Sequence, residues 1–102
     1  MTMLKNFRSY HFALELYRDC ETCEVRAHLK DQLLRASLSI VLNLAEGSAR
    51  ATLKDRLRFY NIAFASLRET QAILQVIGRE DLFAKADALG GGLYRLANQP
   101  LK

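Results

Sequence analysis

Ten consecutive residues, Ala36–Ala45 (ASLSIVLNLA), carry no charge and are bracketed by Arg35 on one side and Glu46-Gly47 on the other. A surface helix of a small protein shows an apolar stripe and a polar face, yet here every face carries something apolar. The stretch is therefore expected to be buried on all sides. A chain of 102 residues is one domain, and at that size folding removes roughly 60–65% of the unfolded chain's surface from water. Large exposed apolar patches are uncommon on soluble monomers, so part of this helix is expected to face a second copy of the chain.

The rest of the pattern is helical. Phe7, Tyr10, Leu14 and Tyr17 share one face of a first helix over Phe7–Cys20, widened by Ala13 and Leu16. After a polar break at Glu21–Glu24, a second helix begins near Val25–His28 and runs to Glu46. Leu29, Leu33, Ala36, Ile40 and Leu44 lie on one of its faces, and Gly47-Ser48 is expected to end it. Leu38, Ile40, Leu42 and Leu44 also alternate as a strand would. No second strand-like run exists to pair with them, and an isolated strand leaves its backbone groups unsatisfied.

Thr52 is placed to cap a third helix, with Asp55 three residues on. Leu53, Leu57, Tyr60, Phe64, Leu67, Gln71 and Leu74 form the seam of that helix. Phe59, Ala63, Ser66, Thr70, Ile73 and Ile77 form a second face, and Gly78 stops it. A fourth pattern, Leu82 to Leu96, contains Gly90-Gly91-Gly92, so either it breaks there or another backbone comes close. The expected fold is all-α, an antiparallel up-down four-helix bundle over residues 1–102, assembling as a ring-like homo-oligomer.

Composition excludes several classes. No apolar run approaches the ~18 residues that span a membrane, and the opening MTMLKNFRSYHF has no apolar stretch followed by a cleavage site. The expected location is the cytoplasm. His11 and His28 fall on separate helices without a nucleophile motif nearby, and no Glu-x-x-His pair occurs, so neither a catalytic constellation nor a carboxylate-bundle metal site is read here. Cys20 and Cys23 have CxxC spacing, but one such pair supplies only two ligands and closes a helix rather than opening one. No cofactor is expected. Arg35, Asn43, Glu46, Ser66, Arg68 and Glu69 interrupt apolar faces and are read as a polar network that fixes helix register or subunit docking.

Net charge is +4, and residues 52–102 hold eight basic side chains against five acidic ones. The densest basic cluster is Arg50, Lys54, Arg56 and Arg58, opposed locally by Asp55. On a monomer such a cluster is an ordinary solvated face; repeated around a ring it becomes a substantial positive field.

Two segments carry a resemblance to a known family. Residues 31–50, DQLLRASLSIVLNLAEGSAR, resemble the pattern QLRRA–SIxxNIAEGxxR of four-helix-bundle proteins encoded in intervening sequences of bacterial 23S rRNA genes. Residues 58–70, RFYNIAFASLRET, are similar to that family's FLxIAxGSLxET, with Ala65 where the family often has glycine. Phe7–Tyr10 and Leu16–Arg18 resemble its opening helix. The resemblance implies a homopentameric ring without catalytic activity. It also implies kinship with the basic accessory protein of diversity-generating retroelements, which works with nucleic acid and a reverse transcriptase. The expected function is an oligomeric accessory protein that binds RNA or DNA with little base specificity. Its phosphate contacts would come from Arg50, Lys54, Arg56 and Arg58, then Arg8 and Lys5. The alternative is an oligomeric scaffold that docks a protein partner without touching nucleic acid.

Overall fold

Helices account for nearly all of residues 7–101, the part of the chain that the computed structural model describes. They are α1 (Arg8–Glu21), α2 (Ala27–Ser48), α3 (Leu53–Val76) and α4 (Glu80–Ala97), with no strand among the described residues. Each helix packs against two neighbours in the cyclic order α1–α2–α3–α4. Cross-helix contacts fix the antiparallel register: Ser39 meets Ser66, Lys85 meets Asp19, and Asn61 reaches the carbonyl of Ala97. The α2–α3 turn, the start of α1 and the end of α4 therefore share one end of the bundle.

The starts and stops have local causes. Thr52 Oγ1 accepts a hydrogen bond from the Asp55 amide at 3.2 Å, which caps α3. Gly78 has φ +77°, a left-handed conformation that only glycine adopts without cost, and it turns the chain from α3 into α4. Glu80 and Asp81 place negative charge in the first turn of α4, where the helix dipole favours it.

The second helix ends at Ser48 and not at Glu46: Gly47 and Ser48 are its last two residues, and both are buried. Gly47 also serves a close approach. A Cβ there would lie 2.6 Å from Cε1 of Tyr60 and 3.2 Å from Cβ of Phe59, so the absent side chain lets α3 cross α2 at this level.

The triple glycine does not break α4 either. Gly92 lies against α1, where a Cβ would meet Ser9 Oγ at 3.1 Å, so the close neighbour is a side chain rather than a backbone. Gly90 and Gly91 have room for a methyl group. The helix bears a cost of about 1 kcal/mol for each of these glycines relative to alanine.

Leu16, Leu33, Ile40, Leu44, Leu67, Leu74, Leu89 and Leu93 are fully buried and meet along the bundle axis. Each contributes about 1.5–3 kcal/mol by leaving water. On α1 the buried line is Ala13, Leu16 and Cys20, while Phe7, Tyr10, Leu14 and Tyr17, expected at its centre, are half-buried flanks. The buried hydroxyls of Ser37 and Thr70 donate to the carbonyls of Leu33 and Ser66, each at 2.8 Å, so neither is orphaned.

The uncharged stretch of α2 is not enclosed within one chain. Leu38 is 37% exposed and Leu42 56%, and Ile62 of α3, level with Leu42 in the Ser39–Ser66 register, is 43% exposed. Ala65, one turn beyond Ile62, is also exposed, and the charged Glu69 follows on the same side of α3. A patch on the outer side of the α2–α3 hairpin is thus apolar in an isolated protomer.

Candidate nucleic-acid interface

The turn between α2 and α3 gathers the basic cluster around one aromatic ring. The guanidinium of Arg50 lies 4.8 Å from the centre of the Phe59 ring and that of Arg58 4.6 Å, so two cations share one π-system. Arg50 also pairs with Glu46, and Arg58 with Asp55 at 3.2 Å. Arg50 Nε is buried and has no hydrogen-bond partner among the described residues. Arg56 turns inward: its Nε donates to the carbonyl of Arg50 at 3.0 Å and its Nη2 to that of Ala51 at 3.3 Å. It therefore holds the turn as well as adding charge. Lys54 is exposed and, among the described residues, makes no ion pair.

The up-down topology adds to this cluster. Arg8 starts α1 and Arg95 ends α4, and both line an open groove of about 560 Å³ between those helices, with Phe12 and Leu96 in its wall. Arg8, Arg50, Lys54, Arg56, Arg58 and Arg95 then stand at one end of the bundle against Glu46 and Asp55, six cations to two carboxylates. Over the remaining described residues acidic groups outnumber basic ones, nine to seven. The molecule is electrically polarised along its axis. Lys5 lies outside the described residues.

Arg95 is the member of this end that sequence reasoning missed. An antiparallel count through four helices returns residue 95 to the level of residue 8, and that count was the available signal.

The expected polar network does not form as one unit. Asn43 and Ser66 do meet, through Ser39: Ser39 and Ser66 hydroxyls lie 2.7 Å apart, and Asn43 Nδ2 donates to Ser39 Oγ at 3.1 Å. Arg35 instead pairs with Asp31 on the surface, Glu46 pairs with Arg50, and Arg68 lies over the Phe64 ring and 3.5 Å from Gln71 Oε1. Glu69 is exposed. Long charged side chains on the outside of a hairpin reach water or a neighbour one turn away more easily than the core.

Of the other chemically active groups, His11 lies near this end, in the same turn as Arg8, and His28, Cys20 and Cys23 are apart from it. His11 and His28 occupy the first turns of α1 and α2, at opposite ends of the bundle. Cys20 and Cys23 are free thiols, both buried. Burial pushes the Cys20 thiol up to about 11, against a smaller opposing effect of its hydrogen bond with Ser37. Among the described residues no three His, Cys, Asp or Glu side chains come together to hold a metal ion, and no helix is long and apolar enough to cross a membrane.

Fold and site together define a small four-helix bundle with one basic end and an apolar hairpin face. The chain belongs to the family of 23S rRNA-intervening sequence proteins, whose family model matches residues 6–90. The match ends within α4, so Gly91, Tyr94 and Arg95 lie beyond it. No curated protein and no solved structure matches the chain.

Proposed function

We propose that this protein is a non-enzymatic accessory protein that self-associates and binds RNA or DNA through the basic end of its bundle. The observation that carries the reading is the concentration of six cations against two carboxylates at that end, with the opposite excess elsewhere. Contacts of this kind go to phosphates, which position a protein on nucleic acid and carry no sequence information. The apolar face of Leu38, Leu42 and Ile62 supports the self-association part. In the homopentameric ring that the resemblance implies, several basic ends would lie side by side and their fields would add. Nucleic acid would be the direct partner, and a reverse transcriptase or other protein would join through the assembly.

The test is fluorescence anisotropy on labelled RNA across a salt series, comparing the wild type with Lys54→Glu/Arg58→Glu. These two residues are chosen because Arg56 also holds the turn. Affinity should fall by tenfold or more, and the slope of log K against log salt on a duplex should flatten by about 0.9 for each phosphate that the variant no longer neutralises. Unchanged binding at low salt overturns the reading. It would leave the scaffold alternative, in which the apolar face docks a protein and the charge serves solubility.

A further inference from the structure

Between α3 and α4 lies an open groove of about 400 Å³, lined by aromatic, charged and glycine residues together. Tyr94 stands in its wall 57% exposed, meeting Phe64 edge to face at 6.0 Å, so no stacked ring covers it. Arg68 and Arg95 flank the groove, and neither has a carboxylate partner among the described residues. Gln71, buried to 5% exposure, donates to Asp87 Oδ1 at 3.3 Å and so holds that carboxylate at the groove with Oδ2 left to accept.

The floor is Gly90 and Gly91, and packing within the protomer does not require glycine at either position. A Cβ at 90 would make an ordinary contact with Leu67 at 3.5 Å, and one at 91 would meet only Arg95 Nη1 at 3.8 Å. Glycine is the poorest helix former after proline, so two of them side by side weaken α4 with no internal return. What they provide is a bare backbone that an external group can approach.

We propose that this groove receives an unpaired, amine-bearing nucleobase of single-stranded nucleic acid, stacked on Tyr94, with its phosphates on Arg68 and Arg95 and its exocyclic amine on Asp87. The proposal rests on the nucleic-acid reading above and adds a strand preference and a base preference to it. Aromatic platforms select single strands because every unpaired base offers a π-face that a duplex conceals. A fixed carboxylate accepts from the exocyclic amines of adenine, cytosine and guanine, which uracil lacks; uracil offers only N3–H, set between two carbonyls that a carboxylate disfavours. Arg95 belongs both to this groove and to the basic end, so a strand lying on the cationic cluster passes directly into the groove.

The experiment measures anisotropy of labelled oligoadenylate, oligouridylate of equal length and an RNA duplex at low salt. Tyr94→Ala should weaken oligoadenylate binding at least about fivefold, the low end of what loss of one base stack produces, and leave the duplex within about twofold. Asp87→Ala should erase the preference for oligoadenylate over oligouridylate. Gly91→Ala should raise the melting temperature and yet weaken oligoadenylate, a pairing that a purely structural role for Gly91 does not give. Lys54→Glu/Arg58→Glu should weaken all three ligands alike. If the wild type binds none of them, the nucleic-acid reading itself falls and takes the groove with it. If it binds all three and Tyr94→Ala changes none, or weakens oligoadenylate and duplex equally, the groove proposal alone is overturned.

Discussion

Gly47 of α2 and the ring of Tyr60 of α3 occupy a single crossing: a Cβ on Gly47 would stand 2.6 Å from Cε1 and 2.9 Å from Cδ1 of that ring. Tyr60 is itself only 5% exposed and meets Phe7 edge to face at 6.3 Å, so the ring has little room to retreat. Two effects of Gly47→Ala oppose each other. Helix propensity favours alanine by about 1 kcal/mol, whereas forcing atoms into a packed crossing costs about 1–3 kcal/mol. We expect a net loss of about 1 kcal/mol in urea unfolding. In the background of Tyr60→Ala the same substitution should become stabilising, and additive effects across that cycle would show that the crossing does not constrain Gly47.

The opposite kind of glycine is Gly78, where space is open but the backbone is left-handed at φ +77°. Gly78→Ala should destabilise by about 1–2 kcal/mol through backbone strain alone. Gly78→Asn should recover part of that loss, because asparagine tolerates this region. Equal unfolding midpoints for the two variants would contradict the strain account.

These two positions show where reading the sequence succeeds and where it falls short. Helical spacing on α2 and α3 identified both buried faces of α3, the Thr52 cap and the Gly78 stop, because each is a local signal of period or turn chemistry. Gly47 stands in the last turn of α2, as its letter suggests, but its crossing is hidden because glycine at a terminus and glycine at a crossing are the same letter. Only the position of Tyr60, thirteen residues on, distinguishes them. The basic end was half legible: Arg50, Lys54, Arg56 and Arg58 are neighbours in sequence, whereas Arg95 joins them only through topology. Charged side chains such as Arg35 and Glu46 were misassigned to a shared network because sequence spacing does not reveal that Asp31 and Arg50 lie nearer.

Ser39 and Ser66 join the two long helices through a 2.7 Å hydrogen bond, and Asn43 supports it from one turn away. Truncating either serine removes the shared bond, at about 0.5–1.5 kcal/mol. Ser39→Ala/Ser66→Ala should cost little more than one single variant, since the second truncation has no bond left to break. A double variant equal to the sum of the singles would mean that the two hydroxyls are not coupled.

Alkaline unfolding should carry the signature of Cys20. In the fold its thiol holds its proton to about 11 because burial disfavours the thiolate, while in the unfolded chain it ionises near 9.0. The stabilisation is fully present below pH 9, declines as pH rises, and is lost through pH 11. Lys85 acts in the same sense, since its hydrogen bond to Asp19 and then that to Glu15 raise its pKa above 10.5. Cys20→Ala should flatten the fall of the melting temperature between pH 9 and 11. In native protein at neutral pH, alkylation of Cys20 should proceed no faster than unfolding exposes it. Rapid labelling of folded protein would contradict this.

The apolar hairpin face sets the last expectation. Leu38, Leu42 and Ile62 are exposed on one protomer by 37%, 56% and 43%. If a second copy covers this face, a charge placed at its centre is buried without a partner in the assembly and lies in water in the monomer. The penalty therefore falls on association alone. Light scattering after size exclusion should give a multiple of the 11.6 kDa chain mass for the wild type. Leu42→Glu should give the single chain mass with undiminished helix content by circular dichroism. A wild type that is already a monomer would sink self-association through this face. An oligomer that survives Leu42→Glu/Ile62→Lys would place the contact elsewhere on the bundle.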